Sequence, residues 1–320
     1  MGINVFIPAL LCGNAVAYKP SEFSTLTGLN IEQLMNDSGV TNDVFVCILG
    51  GQHAGEALLK ADLDGYYFTG SKQTGIHIAT QVAHKLVPIG LELGGKDPAY
   101  VTAFNTDIDN IAESLVSGAF YNNGQSCCSV ERIYVHEKHY EEFVAAFVAH
   151  TSKLVVGDPS DSKTTNGAIT RRPQLSFLQS QVDDATSKGA KLLMGGSAIN
   201  FEGNFFEPTV IVNVDSSMSI MNDESFGPII GIQKVSCDYE AIKLMNDSEY
   251  ALTASVFTND ETQARNIMSQ LSAGNVYMNC CDRVSPNLPW SGRRFSGLGV
   301  SLSKHGIYAF TQTKGWHFRK

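Results

Sequence analysis

Short apolar runs alternate with amphipathic segments along the first 94 residues. Apolar runs bounded by turn residues predict strands, and apolar positions with a 3.6-residue period predict helices. The predicted strands are 15–18, 44–49, 66–69 and 86–93, and the predicted helices are 26–36, 54–61 and 70 to about 83. Strands that alternate with helices predict a parallel, doubly wound sheet. Because the strand runs are continuously apolar, we expect both faces of the sheet to be covered.

A second set of alternating elements follows Gly94-Gly95. It comprises predicted helices at 108–120, 137–151, 175–188, 239–246 and 260–271 and predicted strands at 133–136, 208–212, 252–257 and 275–278. The helix at 137–151 is clearly amphipathic, since its apolar residues follow the i, i+3, i+4, i+7 pattern. Residues 282–299 are rich in Gly, Pro, Ser and Arg and predict an extended loop. The alternation over 310–318 predicts a final strand.

The apolar N-terminus, residues 1–17, predicts a buried helix followed by a turn and a strand. It lacks the basic leading region of a signal peptide, and Pro8 and Gly13-Asn14 interrupt it. No apolar run in the chain is long enough to span a bilayer.

Composition narrows the class of protein further. The 320 residues are 43% hydrophobic and 17% charged, with a net charge of -9. The sequence has no run of basic residues, which argues against a nucleic-acid or anionic-membrane partner that binds through charge. The seven cysteines include two adjacent pairs and no C-x-x-C, which favours reduced thiols and a cytoplasmic location.

Candidate chemistry begins in the polar loop at 121–128, which carries Cys127 and Cys128 between a predicted helix and a strand. A thiol held in such a loop can act as a nucleophile, and a buried structural cysteine fits this stretch equally well. Upstream, Glu92 is a single carboxylate in an apolar run directly before two glycines. Desolvation there raises the pKa of the carboxyl toward the range of a general base.

Two of these stretches resemble the signatures of the aldehyde dehydrogenase superfamily. Leu91-Glu92-Leu93-Gly94-Gly95-Lys96 is similar to its glutamate signature, and Gly124-Gln125-Ser126-Cys127 is similar to its cysteine signature, in the family's order and approximate separation. The resemblance implies that the Cys127 thiolate attacks an aldehyde and that Glu92 activates the water that hydrolyses the resulting thioester. Cys127 rather than Cys128 matches the signature, because it lies two residues after Gln125.

The resemblance also implies a dinucleotide cofactor. The segment 13–22 resembles the family's adenosine-ribose segment, which implies that Lys19 and Glu22 bind the ribose; Ser21 is assigned to the cofactor as well. Phe68-Thr69-Gly70-Ser71 matches the pyrophosphate segment, which implies roles for Gly70, Ser71 and Gly75 at a helix N-terminus. By residue types alone the first segment fits a solvated turn better. A Glu22 carboxylate would repel a 2′-phosphate, so NAD is favoured over NADP.

A third matching stretch, Glu224-Ser225-Phe226-Gly227-Pro228, implies that Glu224 binds the nicotinamide ribose and that Phe226 lies near the nicotinamide ring. Leu93 is assigned to the cofactor as well. Asn279, Asp282, Arg283 and Trp290 are candidates for the aldehyde side of the site. His136-Glu137-Lys138-His139 is one residue short of H-E-x-x-H, and we predict no metal.

The predicted architecture is therefore α/β, with an incomplete Rossmann-like doubly wound sheet, a second α/β catalytic domain and a C-terminal oligomerisation strand. The expected domains are an NAD-binding domain at 1–94, a catalytic domain at 95–300 and a return segment with the oligomerisation strand at 301–320. Family members carry a long region before the segment that matches Pro8-Ala9-Leu10, and it normally supplies one strand of the cofactor-binding sheet and an oxyanion donor. We therefore expect this chain to fold or turn over poorly.

The partners that the resemblance implies are a small-molecule aldehyde and further copies of the chain, as a dimer or tetramer. The alternative function is a catalytically impaired family member that only binds NAD or pairs with full-length subunits.

Overall fold

The computed structural model describes residues 2–41, 43–281 and 283–320. The chain divides into two compact units. The first unit comprises Met1–Glu92, Val284–Ser291 and Leu298–Lys320, and the second comprises Leu93–Arg283 and Gly292–Gly297.

The first unit begins with an alternation of helices and strands and ends with a short helix. Its elements are α1 (Ile3–Leu11), β1 (Val16–Tyr18), α2 (Thr25–Asp37), β2 (Phe45–Cys47), α3 (Gln52–Lys60), β3 (Tyr66–Thr69), α4 (Lys72–Val82), β4 (Ile89–Glu92) and the C-terminal α10 (Ser303–Tyr308). Strands β1 and β2 pair in parallel, and so do β3 and β4. The parallel pairing over 16–92 agrees with the predicted alternation, but β1-β2 and β3-β4 belong to two separate sheets rather than to one.

The core beneath β1 and β2 is small. Phe6, Met35 and Phe45 form its buried cluster, and the ring centroids of Phe6 and Phe45 lie 5.3 Å apart. The prediction of a helix in the N-terminal segment is correct, but the prediction that it is buried is wrong. Ile3 is 59% exposed and Leu11 is 75% exposed. A sheet of two three-residue strands presents too little apolar surface to cover more than one stripe of the helix.

The second unit is built on a seven-stranded sheet. Its elements are β5 (Asp97–Val101), α5 (Ile108–Phe120), β6 (Val130–His136), α6 (Tyr140–Thr151), α7 (Arg172–Ser187), β7 (Lys191–Met194), β8 (Thr209–Val212), β9 (Ile229–Val235), α8 (Asp238–Asn246), β10 (Tyr250–Ala251), β11 (Thr253–Phe257), α9 (Glu261–Ser269), β12 (Asn275–Met278) and β13 (Arg293–Arg294). The strand order is β12-β11-β5-β6-β9-β8-β7, and only β7 pairs antiparallel. This parallel-rich sheet confirms the predicted α/β class.

Both faces of the large sheet are covered. Two covered faces were predicted for the strands of residues 15–94, but there Ala17 of β1 and Val46 of β2 are exposed. Successive residues of β6 belong to different hydrophobic clusters. Ile133 packs among residues of α5 and α6 such as Phe143. Tyr134 packs among residues of α7 and α8 such as Leu178. Side chains that alternate along a strand point to opposite faces, so the two clusters lie on opposite sides of the sheet.

Three strands of this sheet, β5, β7 and β9, are absent from our sequence-based assignment. The sequence of β5 begins Asp97-Pro98, which is typical of a turn. In the structure Asp97 is 3% exposed and accepts a hydrogen bond of 2.6 Å from the Thr253 hydroxyl, and the β5–β6 register shifts at Asp97/Pro98. A tertiary partner and a bulge therefore accommodate two residues that disfavour a strand.

The predicted strand at 310–318 is wrong for the single chain. After β14 (Gly297–Leu298), helix α10 (Ser303–Tyr308) ends the regular structure, and residues 309–320 form neither helix nor strand. Phe310 packs on Tyr67 with ring centroids 4.5 Å apart, but Trp316 is 71% exposed and Phe318 79%. Alternating residues form a strand only where another strand receives their hydrogen bonds.

Across the described ranges, no helix combines the length and the apolar character that a membrane crossing requires.

Candidate active site

The loop that carries Cys127 is fixed by side chains on its flanks. Helix α5 ends at Phe120, and the next turn places Asn122, Asn123 and Gly124 in the left-handed region, with φ of 50°, 58° and 66°. The Asn123 amide donates to the Gly167 carbonyl at 2.9 Å, and the Thr170 N–H donates to the Gln125 side-chain oxygen at 2.9 Å. A Cβ on Gly124 would lie 2.4 Å from the Gly227 carbonyl oxygen, so only glycine fits there.

The two adjacent thiols have different surroundings. Cys127 is half-buried, whereas Cys128 is 4% exposed, with its sulfur 3.4 Å from the Ser126 hydroxyl oxygen. A reagent or substrate therefore reaches Cys127 more readily. The Cys127 carbonyl also lies against Gly95, where a Cβ would come within 2.4 Å of its oxygen.

Glu92 lies at the end of β4, and both of its carboxyl oxygens accept a hydrogen bond. The indole N–H of Trp290 donates to Oε2 at 2.8 Å, and the Ser301 hydroxyl donates to Oε1 at 2.9 Å. Two backbone hydrogen bonds of 2.8 Å join Trp290 and Ser301 to each other. Burial raises the pKa of the Glu92 carboxyl, and the two donors oppose that rise. Each oxygen keeps a lone pair that can accept a proton from water.

Glu224 and Phe226 lie on a strained turn in the second unit. The Gly95 N–H donates to the Glu224 carboxylate at 3.1 Å, and a Cβ on Gly94 would lie 2.3 Å from a Glu224 oxygen. The two glycines of the glutamate signature are therefore the surface on which the Glu224 carboxylate packs. Phe226 has φ of 45° and is 38% exposed. Burial, followed by the Glu131 charge, raises the pKa of Glu224 to about 7.

This raised pKa predicts how a substitution changes stability with pH. The folded chain holds a proton at Glu224 that the unfolded chain releases between about pH 4.5 and 7, so this group destabilises the fold as pH rises through that window. Relative to the unaltered chain, Glu224→Gln is expected to be more stable by on the order of 2–3 kcal/mol at pH 8, with that gain absent at pH 4.5. Thermal unfolding at both pH values measures it. Asp223→Asn, at an exposed neighbour, is the control, and an equal gain at both pH values would contradict the assignment.

The predicted ribose-binding residues of the first unit follow β1. The Lys19 ammonium donates to the Gly50 carbonyl at 2.8 Å and to the Pro20 carbonyl at 2.9 Å. The Ser21 hydroxyl accepts from the Phe23 N–H at 3.3 Å, and Glu22 is exposed. Lys19 is thus tethered next to the carboxyl end of β1, where a doubly wound sheet binds nucleotides.

The predicted pyrophosphate residues lie where β3 leads into α4. Ser71 caps this 11-residue helix and accepts from the Thr74 N–H, and Gly75 is buried within its first turn. The Gly70 N–H donates to the Glu92 carbonyl at 3.0 Å. The backbone N–H groups of a helix N-terminus that follows a glycine are donors suited to a pyrophosphate. These residues therefore fit a dinucleotide.

The structure brings the candidate residues together in two groups. The first unit contains Lys19, Ser21, Glu22, Gly70, Ser71, Gly75 and Glu92. The second unit contains Leu93, Cys127, Glu224 and Phe226. The candidate Asp282 lies outside the described residues. Trp290, a candidate for the aldehyde pocket, is 3% exposed and bonded to Glu92, and Arg283 is exposed.

Two interactions were missed by the sequence reasoning. No local signal links Glu92 to Trp290 and Ser301, which lie 198 and 209 residues away. The second is a buried ion pair of 2.7 Å between Lys96 and Glu131. Glu131 is a single carboxylate near the start of β6, but Arg132 follows it directly, so the sequence there lacks the apolar surroundings that singled out Glu92.

The histidine-rich stretch does not form the helix face that a zinc site of the H-E-x-x-H type needs. His136 ends β6, and His139 precedes α6 with its ring nitrogen 3.1 Å from the Ala103 carbonyl oxygen. Within the part of the chain that the structure describes, no three His, Cys, Asp or Glu side chains are grouped so that they could hold a metal ion.

The half-buried thiol, the fixed carboxyl and the fold together define a known class of protein. The chain belongs to the aldehyde dehydrogenase family, whose model matches residues 1–316.

Individual relatives agree with this assignment. Human aldehyde dehydrogenase 1A1 is 37% identical over 311 residues, which are 96% of this chain and 62% of that protein. An indole-3-acetaldehyde dehydrogenase solved with NAD+ superposes with a TM-score of 0.95 at 32% identity, over 98% of this chain and 64% of the other. An NADP-dependent enzyme from Escherichia coli superposes with a TM-score of 0.92 at 30% identity, over 95% of this chain and 63% of the other. The chain thus spans about 62% of the length of the curated relatives it matches.

Proposed function

We propose that this protein oxidises an aldehyde to a carboxylic acid, with Cys127 as the nucleophile, Glu92 as the general base and NAD as the cofactor. The observation that carries the proposal is the difference between the adjacent thiols: the cysteine that matches the family signature is half-buried, and its neighbour is buried. An accessible thiol in a rigid loop can add to a carbonyl carbon.

The chemistry assigns one step to each residue. The Cys127 sulfur forms a bond to the aldehyde carbon, and the carbonyl oxygen takes up the displaced electron pair, which gives a thiohemiacetal. Bound NAD would supply the acceptor for the hydride of this carbon, and loss of the hydride would leave a thioester on Cys127. Glu92 then takes a proton from water as the water oxygen attacks the thioester carbon, and the bond between carbon and sulfur breaks with its electron pair returning to the Cys127 sulfur, which releases the carboxylic acid. The raised pKa of Glu92 suits this base.

The cofactor assignment is supported by the residues of both groups described above. Gly70, Ser71 and Gly75 offer helix N-terminal donors to a pyrophosphate, and Lys19, Ser21 and Glu22 offer a cation, a hydroxyl and a carboxylate to ribose hydroxyls. Leu93, Glu224 and Phe226 are assigned to the nicotinamide end.

Glu22 predicts a preference for NAD over NADP. We expect the dissociation constant for NADP to exceed that for NAD at least about tenfold, because the Glu22 carboxylate repels a 2′-phosphate. Glu22→Gln is expected to reduce the ratio several-fold by improving NADP binding. Isothermal titration calorimetry with both dinucleotides measures it, with the exposed Asp64→Asn as the control. An unchanged ratio in Glu22→Gln would contradict this role.

A second function, an NAD-binding protein without turnover that pairs with full-length subunits, is favoured by one observation. Among the described residues, β1, which Lys19, Ser21 and Glu22 follow, pairs with β2 alone, so its other edge has no strand partner. An edge of this kind can accept a strand from another polypeptide.

One experiment separates the two functions. The purified chain is assayed for NAD reduction with a panel of aldehydes, and the acid-quenched protein is examined by mass spectrometry for an acyl group on Cys127. Turnover with acylated Cys127 supports the oxidation of aldehydes. NAD binding with neither product nor acyl-enzyme supports the second function.

We also propose a cytoplasmic homo-oligomer in which the exposed side chains of Trp316 and Phe318 contact a second copy. Sedimentation of the chain with and without residues 311–320 tests this assembly, since the shortened chain should be monomeric if the tail supplies the contact.

A further inference from the structure

Glu131 is a buried carboxylate in the middle of the second unit. It is the second residue of β6 and is 4% exposed. Its Oε2 accepts from the Lys96 ammonium and from the Ser225 N–H, each at 2.7 Å, and its Oε1 accepts from the Phe226 N–H at 2.9 Å. Both oxygens are therefore used, and two successive backbone amides converge on one side chain.

Lys96 joins this carboxylate to the glycines of the glutamate signature. It is 1% exposed and lies directly after Gly95, and it also donates to the Ser225 hydroxyl at 2.9 Å. Burial lowers the pKa of the Lys96 ammonium, and the Glu131 charge opposes that change. A buried charge remains tolerable only while its partner is present.

The turn at Ser225 and Phe226, which Glu131 and Lys96 contact, has an unfavourable backbone conformation. A phenylalanine with φ of 45° occupies the left-handed region, which disfavours residues other than Gly, Asn and Asp. The Gln174 side chain donates to the Ser225 carbonyl at 2.6 Å and fixes the other side of the turn. On the residue before it, the Glu224 carboxylate reaches the Gly95 N–H at 3.1 Å.

We propose that Glu131 is a positioning residue of the cofactor site, which holds Glu224 and Phe226 in place by binding the Ser225 and Phe226 amides and linking them through Lys96 to Gly94-Gly95. The inference rests on the proposed function, in which Glu224 and Phe226 bind NAD. The residue itself lies outside every stretch on which that function was assigned.

Two consequences follow from loss of the carboxylate. The two amides lose their acceptor and Phe226 is free to leave the left-handed region, so Glu224 no longer occupies one position. In addition, the Glu131 charge helps to raise the pKa of Glu224, so its removal shifts the titration of Glu224 to lower pH. A residue that only contributed to packing would produce neither change.

The test uses Glu131→Gln and, as the matched control, Glu137→Gln, which changes an exposed carboxylate one residue beyond β6. We expect the dissociation constant for NAD to rise on the order of 10- to 100-fold in Glu131→Gln and to change less than twofold in Glu137→Gln. The pH midpoint of NAD binding should fall in Glu131→Gln. Without NAD, hydrogen exchange at the Ser225 and Phe226 amides should accelerate at least about tenfold.

A lower unfolding temperature with unchanged NAD affinity, pH midpoint and amide exchange would overturn the inference. If the unaltered chain binds no NAD, the proposed function fails and so does the cofactor role, whereas amide exchange still reports whether Glu131 holds the turn. If Glu131→Gln does not fold, the double variant Glu131→Gln/Lys96→Met removes both buried charges. It must then show the same faster exchange and weaker NAD binding.

Discussion

Replacing Cys127 with alanine is expected to lower aldehyde-dependent NAD reduction at least about a thousandfold, because no other group in the proposed mechanism can form the bond to the substrate carbon. Cys128→Ala is the matched control, since its thiol is adjacent but buried. It should retain turnover within a few-fold. The measurement is the initial rate of NADH formation for the three proteins, with circular dichroism to compare their folds.

Thiol labelling provides a readout that does not need turnover. Iodoacetamide should modify Cys127 faster than the other six cysteines, and NAD should change that rate. The same loss of turnover in Cys128→Ala as in Cys127→Ala, or equal labelling of all accessible thiols, would contradict the assignment of the nucleophile.

Replacing Glu92 with glutamine is expected to slow steady-state turnover by about a hundredfold to ten-thousandfold, which is the usual contribution of a general base. The amide cannot take a proton from the hydrolytic water, but the acyl transfer to Cys127 does not depend on it. A burst of NADH followed by a slow phase is therefore expected, with the acyl-enzyme present in quenched samples. A uniform slowing without a burst would assign Glu92 to an earlier step.

Ser301→Ala sharpens the test of Glu92. The Ser301 hydroxyl lowers the pKa of this carboxyl by donating to its ionised form. Removing the donor raises the pKa of Glu92, and a base must be ionised to work. The acidic limb of the pH–rate profile should therefore move to higher pH in Ser301→Ala, while the rate at high pH changes little. A shift to lower pH would contradict the role of Glu92 as the base.

The sequence predicts those parts of the fold that depend on local patterns. Helix α5 at Ile108–Phe120 and strand β3 at Tyr66–Thr69 agree with the prediction at both ends, because their apolar periodicity is strong and turn residues bound them. Strand β5 was missed because Asp97 and Pro98 disfavour a strand, and the partner that permits it, Thr253, is 156 residues away. The predicted strand at 310–318 is wrong for the opposite reason. Its alternating residues could form a strand, but among the described residues of the single chain no neighbouring strand receives their hydrogen bonds.

For the candidate site too, the sequence predicts the local motifs but not the contacts between distant residues. Cys127 and Glu92 were predicted from the resemblance of their stretches to two family signatures, and the glycines after Glu92 are explained by how closely Glu224 and Cys127 approach them. What the sequence cannot convey is which distant groups hold these residues. Trp290 was a candidate for the aldehyde pocket because its loop resembles the family's substrate-side segment, and no local pattern encodes its hydrogen bond to Glu92 or its two backbone bonds to Ser301.

The bond from the Trp290 indole to Glu92 gives the protein a built-in optical reporter. The chain has two tryptophans, and the other, Trp316, is 71% exposed. Trp316→Phe leaves Trp290 as the single emitter, and indole emission responds to a charge that appears or disappears within hydrogen-bond distance. A titration of emission wavelength against pH would follow the ionisation of one carboxyl without substrate, cofactor or isotopic label, and Glu92→Gln should flatten that curve.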